Sequence, residues 1–403
     1  MNKMTLEDIE VTGKRVLVRV DFNVPIEQGI ERLPEYDHRI RSSIPTIQYL
    51  IDRNAKVILC SHLGRPGGKV VEGLRMAPIA ARLEALLGRP VKTVPDCVGP
   101  TAEKAVHDLR TGEVLLLENL RFYPGETNND PDFARALAAL ADLFVLDAFA
   151  VAHRAHASTV GIPQHLPSVA GLLLKREMEM MGQILGHPER PLGVLLGGAK
   201  VSDKIKLLEN LVPRISILLI GGGMAATFLK ARGLSVGQSR VESDLLDVAS
   251  RLRHQAIGKG ITYHTPLDVV VASEFSEKAQ PLGVFPVENV PENGHIMDIG
   301  PRTVDVYIRN LQRCRTILWN GPMGVFEFPA FADGTKKLAH ALADMKATII
   351  VGGGSTVEAV EALGLSDRFT HVSTGGGASL EFLEGRELPG IAALPDKERP
   401  EYR

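Results

Sequence analysis

The stretch "IIVGGGSTVEAV" (Ile349 to Val360) places three glycines between a β-branched apolar run and a segment with the spacing of an amphipathic helix. A buried strand, a glycine turn and a helix in this order are the repeating unit of α/β folds. Glycines let the backbone approach a ligand closely, and the first amides of a helix favour phosphate. The lysine of a Walker A loop is missing. By itself the stretch therefore fits either a phosphate-binding turn or a plain strand-to-helix connection.

The same unit recurs along the whole chain. In the first half the apolar runs are "RVLVRV", "KVILC", "EVLLLENL" and "DLFVLDAF". In the second half they are "LGVLLGG", "ISILLIGGG", "DVVVAS", "TILWNG", "TIIVGGG" and "HVSTGGG". These runs lack period-two alternation, which is typical of strands buried on both faces of a parallel sheet. The predicted fold class is α/β, with two doubly wound parallel-sheet (Rossmann-like) domains.

The length of the chain and one long helical segment predict the domain limits. A chain of 403 residues is too long for one ordinary core. In the segment from Leu166 to Pro191 the helical pattern begins after Pro167, and the segment ends in a Gly/Pro/charged stretch, as a connecting helix would. We predict an N-terminal domain over 1–168, an interdomain helix over 169–187 and a C-terminal domain over 188–388.

Composition excludes several classes of partner. The net charge is -2 and aromatic residues make up 5%, without interleaved basic residues, so we expect no nucleic-acid partner. No apolar run approaches the ~20 residues of a membrane span, and the N-terminus has no apolar signal core, so we expect no membrane association. Cys60, Cys97 and Cys314 lack C-x-x-C spacing, which argues against disulfides and zinc. A cytoplasmic protein is expected.

Basic residues follow the strands of the first half. They are Arg19 with Asp21 and Asn23, then His62 and Arg65, then Arg121, and finally Arg154 between His153 and His156, with Arg39 from a separate loop or helix start. The carboxyl ends of parallel strands meet at one sheet edge, so these groups are expected to converge there. A single arginine in such a place is commonly a surface ion pair. Several together predict a multiply anionic ligand, because guanidinium groups bind carboxylate and phosphate oxygens bidentately.

Small residues follow the strands of the second half instead. Four glycine turns open helices and predict amide nests for phosphates or for a nucleotide. Lys200 and Lys204 lie four residues apart in a predicted helix, "VSDKIKLLENL", where both ammonium groups would share one face. A solvated charged face is the alternative for these lysines. Glu327 is a candidate for ribose hydroxyls or an ordinary exposed glutamate, and Trp319 is expected in the core.

A rival interpretation rests on "GGGMAA" (Gly221 to Ala226), which fits the G-x-G-x-x-A pattern of dinucleotide folds. Glu242 and Asp244 follow about twenty residues later, where such a fold places its ribose acceptor. This interpretation predicts a dehydrogenase. It leaves the basic residues and the other glycine turns unexplained.

A site for a small polyanion on one domain and a phosphate-binding glycine domain predict a small-molecule phosphotransferase. Seven ordered motifs then identify a resemblance: "RVDFNVP", "SHLGRP", "ENLRF", "AHRAHAS", "GGAKVSDK", "WNGPMGVFE" and "STGGGASLEFLEG". The chain resembles the phosphoglycerate kinase family of glycolysis. The resemblance implies two domains that close by a hinge, with the tail 389–403 returning to the N-terminal domain. It also implies direct, in-line and reversible phosphoryl transfer in a closed interdomain cleft, from 1,3-bisphosphoglycerate to ADP, giving 3-phosphoglycerate and ATP.

The resemblance also implies roles for individual residues. For the phosphoglycerate they are Asp21, Asn23, Arg39, His62, Arg65, Arg121 and Arg154. For the nucleotide they are Lys200, Lys204, Gly222, Asn320, Glu327, Gly353, Gly354, Ser355 and Thr356. Arg39, Lys200 and the turn at Gly375, Gly376 and Gly377 would stabilise the phosphoryl group in transfer. Mg²⁺ would accompany the nucleotide, with no organic prosthetic group, in a protein that is usually a monomer.

One position departs from the family. The usual pattern is G-G-G-D-[ST], whose aspartate serves the nucleotide-bound Mg²⁺, and this chain has Ser355 there. A serine hydroxyl can ligate Mg²⁺ but lacks the charge of a carboxylate. We expect activity to persist with weaker Mg-nucleotide binding. The alternative is a catalytically weakened relative that binds nucleotide or phosphoglycerate as a sensor or partner protein, against which Arg39, Lys200 and Lys204 argue.

Overall fold

The computed structural model describes residues 2–26 and 29–397, which fall into two compact units. One unit runs from the N-terminus to Glu179 and resumes at Glu387, and the other is Met180–Arg386. Each unit has its own six-stranded parallel sheet with helices, which confirms the predicted α/β fold class. The division falls inside the helix Leu172–Leu185, in the segment predicted to connect two domains.

The first unit is built on a sheet with the order β3-β4-β2-β1-β5-β6. Its strands are β1 Arg15–Arg19, β2 Lys56–Cys60, β3 Val91–Thr93, β4 Val114–Leu116, β5 Leu143–Leu146 and β6 Ser168–Ala170. Its helices are α1 His38–Asp52, α2 Ala77–Leu87, α3 Gly99–His107, α4 Pro124–Thr127, α5 Pro131–Ala138, the first part of α6 Leu172–Leu185, and α14 Pro389–Ala392. The chain reverses direction across the sheet between β1 and β5, so loops diverge there and leave room for a ligand.

The second unit has a parallel sheet with the order β15-β14-β13-β7-β8-β9. The strands are β7 Leu192–Leu196, β8 Ile217–Ile220, β9 Thr262–His264, β13 Thr316–Asn320, β14 Thr348–Gly352 and β15 His371–Val372. The helices are α7 Ile205–Leu211, α8 Ala225–Ala231, α9 Leu246–Gly258, α10 Pro301–Leu311, α11 Asp333–Ala343, α12 Gly354–Ala362 and α13 Gly377–Leu383. Here the reversal lies between β7 and β13.

A small antiparallel sheet was not predicted. It has the order β11-β10-β12, with β10 Asp268–Ala272, β11 Pro281–Pro286 and β12 His295–Ile299. The run "DVVVAS", assigned to the parallel sheet from its apolar pattern, is β10 at the centre of this sheet. An apolar run predicts burial but not the direction of the neighbouring strand, which is why the assignment was wrong.

The helix predicted to carry both Lys200 and Lys204 begins later than expected. Residues 201–204 form a bend and turns, and α7 begins at Ile205 with Lys204 as its N-cap residue. The two lysines therefore do not share a helix face, and the argument from their spacing was wrong.

Trp319 lies in the core as predicted. It is fully buried in β13, and its Nε1 donates a hydrogen bond to the Gly321 carbonyl oxygen at 2.9 Å. Its indole packs edge-on against Phe369, with ring centroids 6.5 Å apart. Within residues 2–26 and 29–397, no helix has the length and apolarity needed to cross a bilayer.

Candidate active site

The basic residues predicted in the first unit meet at the carboxyl edge of its sheet. The basic cluster is defined by Arg19, Arg39, His62, Arg65, Arg121 and Arg154. Asp21 forms an ion pair with Arg39, and its Oδ1 lies 4.0 Å from His62 Nδ1. Asn23 Oδ1 accepts a hydrogen bond from the Gly64 amide at 2.8 Å. The loops after β1 and β2 are thus tied to each other next to the basic side chains.

Arg19 fixes the state of the His62 ring. Its guanidinium is fully buried, and Nη2 lies 3.1 Å from His62 Nδ1. Because a guanidinium only donates, Nδ1 must be the acceptor and the neutral ring carries its proton on Nε2. Burial, with the charges of Arg19 and Arg121, lowers the pKa of His62 well below its ordinary value. His62 is therefore a neutral donor through Nε2 at physiological pH.

The buried carboxylate of Glu126 compensates the positive charge of Arg19, to which it is linked through Ser158. Arg19 Nε donates to Ser158 Oγ at 2.7 Å, and Ser158 Oγ donates to Glu126 Oε1 at 2.6 Å. Glu126 is fully buried, and its Oε1 lies 3.8 Å from His156 Nδ1. Burial and then Arg19 lower the pKa of His156 to about 4. Sequence reasoning missed Glu126, because no motif marks it, whereas Ser158 ends the motif "AHRAHAS".

The open side of the cluster is a cavity of about 520 Å³ whose lining includes Arg65, Arg121 and Arg154. Burial, followed by Arg154 and Arg19, lowers the pKa of Arg121 to about 10. Arg121 Nη1 donates to the Gly64 carbonyl at 2.8 Å, while its buried Nε has no hydrogen-bond partner among the described residues. Burial and then Arg65 lower the pKa of Arg154. A multiply charged anion would relieve this crowding of like charges.

In the second unit three glycine turns pack backbone against backbone. Gly222 has φ +65, and a Cβ there would lie 2.5 Å from the Gly198 amide nitrogen. Gly321 has φ +99, and a Cβ would overlap the Gly197 carbonyl group. The Gly222 amide donates to the Met323 carbonyl at 2.9 Å. Close packing of these turns therefore explains part of the glycine pattern.

Lys204 and Asn320 form a buried polar pair beneath the turns. Lys204 is 8% exposed, and its Nζ donates to Asn320 Oδ1. Burial lowers the pKa of Lys204 to about 8. Asn320 is fully buried at the end of β13, and its Nδ2 has no hydrogen-bond partner within the described residues. The pair offers an ammonium charge and a free amide donor at the carboxyl edge of the sheet.

The glycine turn before α12 is followed by one exposed and one buried polar residue. Gly353 has φ +87 and precedes α12, whose second residue, Ser355, is exposed. Thr356 is fully buried instead, and its Oγ1 accepts a hydrogen bond from the Gly321 amide at 2.6 Å. Thr356 thus joins two turns, while Ser355 and Gly354 are available to a ligand.

A cavity of about 640 Å³ lies beside these turns. Of the predicted nucleotide residues, Gly222, Glu327 and Ser355 line it, and Lys200, Lys204, Asn320, Gly353, Gly354 and Thr356 do not. Apolar side chains of Phe275, Met323 and Phe328 form part of its wall. Such a cavity suits a flat heterocycle with polar groups at one end.

The glycine turn before α13 is separate from this cavity. Gly376 has φ +52 and precedes α13 at Gly377. The Gly375 amide donates to Ser373 Oγ at 3.1 Å.

The carboxylate that the dinucleotide interpretation assigned to a ribose has other partners. Glu242 Oε2 accepts from the amides of Val201 at 2.6 Å and Ser202 at 3.2 Å, and Oε1 accepts from Ser202 Oγ at 2.6 Å. Burial raises the pKa of Glu242, but the hydrogen bonds from Ser202 and Val201 outweigh burial and leave it below its ordinary value. Glu242 is therefore engaged within the unit, and of the two acceptors that the dehydrogenase interpretation assigned only the exposed Asp244 is left.

Comparison with known proteins identifies the family. The model of the phosphoglycerate kinase family matches residues 6–386. The phosphoglycerate kinase of Moorella thermoacetica is 55% identical over 397 residues, covering 98% of this chain and 100% of the relative. That of Dictyoglomus turgidum is 52% identical over 395 residues, covering 98% of each chain. The solved structure of phosphoglycerate kinase from Coxiella burnetii is 41% identical with a TM-score of 0.84, covering 97% of this chain and 98% of that one.

Proposed function

The chain belongs to the phosphoglycerate kinase family, and on this premise we propose that the basic cluster binds phosphoglycerate while the glycine turns bind ADP or ATP. The enzyme transfers a phosphoryl group reversibly between 1,3-bisphosphoglycerate and ADP, giving 3-phosphoglycerate and ATP. The assignment of the phosphoglycerate and nucleotide sites is supported by the difference between the residues at the carboxyl edges of the two parallel sheets. One edge holds crowded arginines that line a cavity. The other has a cavity lined partly by glycines, and a buried lysine that donates to Asn320 at the end of β13.

In the first unit, arginines and a neutral histidine would recognise the carboxylate and phosphate of the substrate. Arg65, Arg121 and Arg154 line the cavity and supply charge-assisted donors. His62 would donate through Nε2, because Arg19 occupies Nδ1. Asp21 and Asn23 would meet the glycerate hydroxyl and carboxyl region. We propose residues 1–168 as this phosphoglycerate-binding domain.

Arg39 of the first unit and groups of the second unit would stabilise the transferring phosphoryl group. A carboxylate oxygen of 3-phosphoglycerate attacks the γ-phosphorus of ATP, and the bond to the β–γ bridging oxygen breaks with its electron pair on ADP. The attacking carboxylate needs no general base. The negative charge of the transferring phosphoryl group would be neutralised by Arg39, Lys200 and the Gly375–Gly376 turn. Lys204 and Asn320 would bind nucleotide phosphates, Gly353 and Gly354 would complete the phosphate turn, and Gly222 and Glu327 would face the nucleoside. We propose residues 188–388 as the nucleotide-binding domain, linked by 169–187.

The donor set fits Mg²⁺ carried by the nucleotide rather than a metal held by the protein. Among the described residues no group of three or more His, Cys, Asp or Glu side chains is placed to hold a metal ion. Ser355 is exposed beside the nucleotide cavity and would contribute a hydroxyl oxygen. When bound, Mg²⁺ neutralises phosphate charge and orients the γ-phosphoryl group.

We further propose a cytoplasmic monomer without nucleic-acid or membrane partners. The three cysteines are free and buried, which suits a reducing compartment. A net charge of -2 gives no overall attraction to anionic polymers or lipid surfaces.

The test is ATP-dependent phosphorylation of 3-phosphoglycerate, followed in a coupled assay across a Mg²⁺ titration. Lys200→Ala is expected to lower kcat about a hundredfold or more, because it removes a charge aimed at the transferring group. Lys230→Ala, on an exposed lysine of α8, is the control and should leave kcat unchanged. Bound nucleotide and phosphoglycerate without turnover at any Mg²⁺ concentration would favour the sensor alternative.

A further inference from the structure

Glu242 holds the chain immediately after Lys200. Its carboxylate accepts three hydrogen bonds from two consecutive residues, Val201 and Ser202. The acceptor is itself anchored, because the Glu242 amide donates at 3.1 Å to Oγ1 of Thr227, a buried residue of α8. A side chain from another part of the unit thus fixes two backbone amides that β7 and α7 leave outside regular structure.

The chain immediately before Lys200 is held by backbone contacts. The Gly198 amide donates to the Pro322 carbonyl at 2.9 Å, and the Gly198 carbonyl accepts from the Met224 amide at 2.9 Å. Between this anchor and the one at Val201 lie only Ala199 and Lys200. The Glu242 anchor therefore limits how far the Lys200 backbone can move.

The bonds to Glu242 lie in the segment that was predicted to be helical, before the observed start of α7 at Ile205. The amides of Val201 and Ser202 are directed to a carboxylate, and the Lys204 amide donates to the Val201 carbonyl at 2.8 Å in a tight turn. Lys200 precedes this turn in the chain, and the ammonium group of Lys204 is directed to Asn320.

We propose that Glu242 is a positioning residue for phosphoryl transfer: it holds the Val201–Ser202 backbone so that Lys200 meets the transferring group. This inference rests on the role proposed above for Lys200. Glu242 is not among the residues proposed to contact substrate, and it acts through the backbone alone. Its removal would misplace Lys200 rather than remove a charge from the site, and small misplacements of a catalytic group lower the rate of the chemical step.

The first experiment compares Glu242→Ala with the conservative Glu242→Gln. The alanine variant is expected to lose about tenfold in kcat, with KM for ATP and for 3-phosphoglycerate changed less than about twofold. The glutamine carbonyl still accepts from the Val201 amide, so kcat should return to within about threefold of the parent. Glu288→Ala, an exposed glutamate of the same unit, is the matched control and should leave kcat unchanged. A rise in both KM values at constant kcat would overturn the proposal.

A double-mutant cycle separates positioning from general damage. In a Lys200→Ala background, Glu242→Ala should change kcat by less than about twofold, because the group it positions is gone. A tenfold loss that persists in this background would refute action through Lys200. If Glu242→Ala does not fold, Ser202→Ala, which removes one of the three bonds, takes its place with a smaller expected loss.

Amide hydrogen exchange provides a readout without turnover. Exchange at Val201 and Ser202 should accelerate at least about tenfold in Glu242→Ala, since both amides lose their acceptor, while strand β8 keeps its protection. Unchanged exchange at these amides would contradict the anchor itself. A parent enzyme without activity, or a Lys200→Ala variant with full activity, would instead contradict the proposed function and leave the exchange result standing.

Discussion

The two parallel sheets present opposite chemistry at equivalent edges. In the first unit the loops after β1, β2 and β4 carry charged side chains, and a buried guanidinium, Arg19, sits among them. In the second unit the loops after β7, β8 and β13 carry glycines that touch backbone to backbone. One fold thus builds a site from side-chain charge in one place and from main-chain shape in the other.

This difference determines how each site affects the stability of the protein when no ligand is bound. In the basic cluster, burial and neighbouring arginines lower the pKa values of Arg121 and Arg154, so like charges are held together at the expense of stability. The glycine turns carry no such electrostatic penalty, but they have no room for a Cβ at Gly222 or Gly321. We therefore expect the basic cluster to be impaired by loss of a charged side chain, and the glycine turns to be impaired by added side-chain volume.

Arg154→Ala tests the charged side of this comparison and has the largest expected effect on substrate binding. Loss of a charge-assisted contact of about 1.5–3 kcal/mol raises KM for 3-phosphoglycerate about ten- to a hundredfold. The same change relieves repulsion, so the melting temperature of the free protein should stay equal or rise. Steady-state kinetics and thermal unfolding measure both, with the exposed Arg110→Ala as control. A clear fall in melting temperature would contradict the repulsion argument.

Gly222→Ala tests the shape side. Gly260 has φ +69, close to the φ +65 of Gly222, but a Cβ there meets nothing within 4 Å. Both alanines therefore carry the same backbone strain of about 1–2 kcal/mol, and only Gly222→Ala adds a clash with Gly198. We expect KM for ATP to rise about tenfold in Gly222→Ala and to stay within about twofold in Gly260→Ala. Equal effects in the two variants would show that close approach is not what requires glycine.

The pH dependence of the two substrates should also differ. With a lowered pKa of about 8, Lys204 is charged below pH 8 and neutral above it in the free protein. At pH 9 only about a tenth of the lysine is protonated, so KM for ATP should be about tenfold higher than at pH 7. Arg121, with a pKa of about 10, stays charged over this range, so KM for 3-phosphoglycerate should remain flat. If KM for ATP and KM for 3-phosphoglycerate rose equally with pH, the titration of Lys204 would not explain the rise in KM for ATP.

Ser355→Asp has the smallest expected effect. It adds a carboxylate at the start of α12 beside the cavity proposed to bind nucleotide and should tighten Mg-ADP binding about threefold or more at low Mg²⁺ concentration. Ser355→Asn offers a neutral oxygen and serves as control. Titration calorimetry measures both. Unchanged affinity in Ser355→Asp would mean that this position does not reach the metal.

The sequence predicted the strands that are fully buried, because burial leaves an apolar run. It did not predict features that are determined by contacts between segments far apart in the chain. Long apolar runs such as β1 and β13 identified the parallel sheets, since fully buried strands leave a clear pattern. The strands β3, β6 and β9 were missed because each is short and contains polar residues, so none forms an apolar run as the equally short β4 does. The direction of β10 depended on partners that no local pattern encodes.

The site shows the same limit. Basic residues at strand ends were predicted because parallel strands bring their carboxyl ends together. Glu126 escaped notice because its partner Ser158 is 32 residues away in sequence. Thr356 matched a nucleotide motif, yet its hydroxyl accepts from the Gly321 amide. A motif gives residue types and spacing, whereas the direction of a side chain is set by neighbours from other segments.

The single tryptophan gives the second unit a built-in optical reporter. Trp319 directly precedes Asn320, and its indole N–H is bonded to the Gly321 carbonyl in the turn that touches Gly197. Fluorescence excited at the indole band therefore comes from one location in the whole protein. A nucleotide that displaces this turn would change the emission intensity or wavelength without any added dye, so binding to the second unit can be followed in real time and separately from turnover.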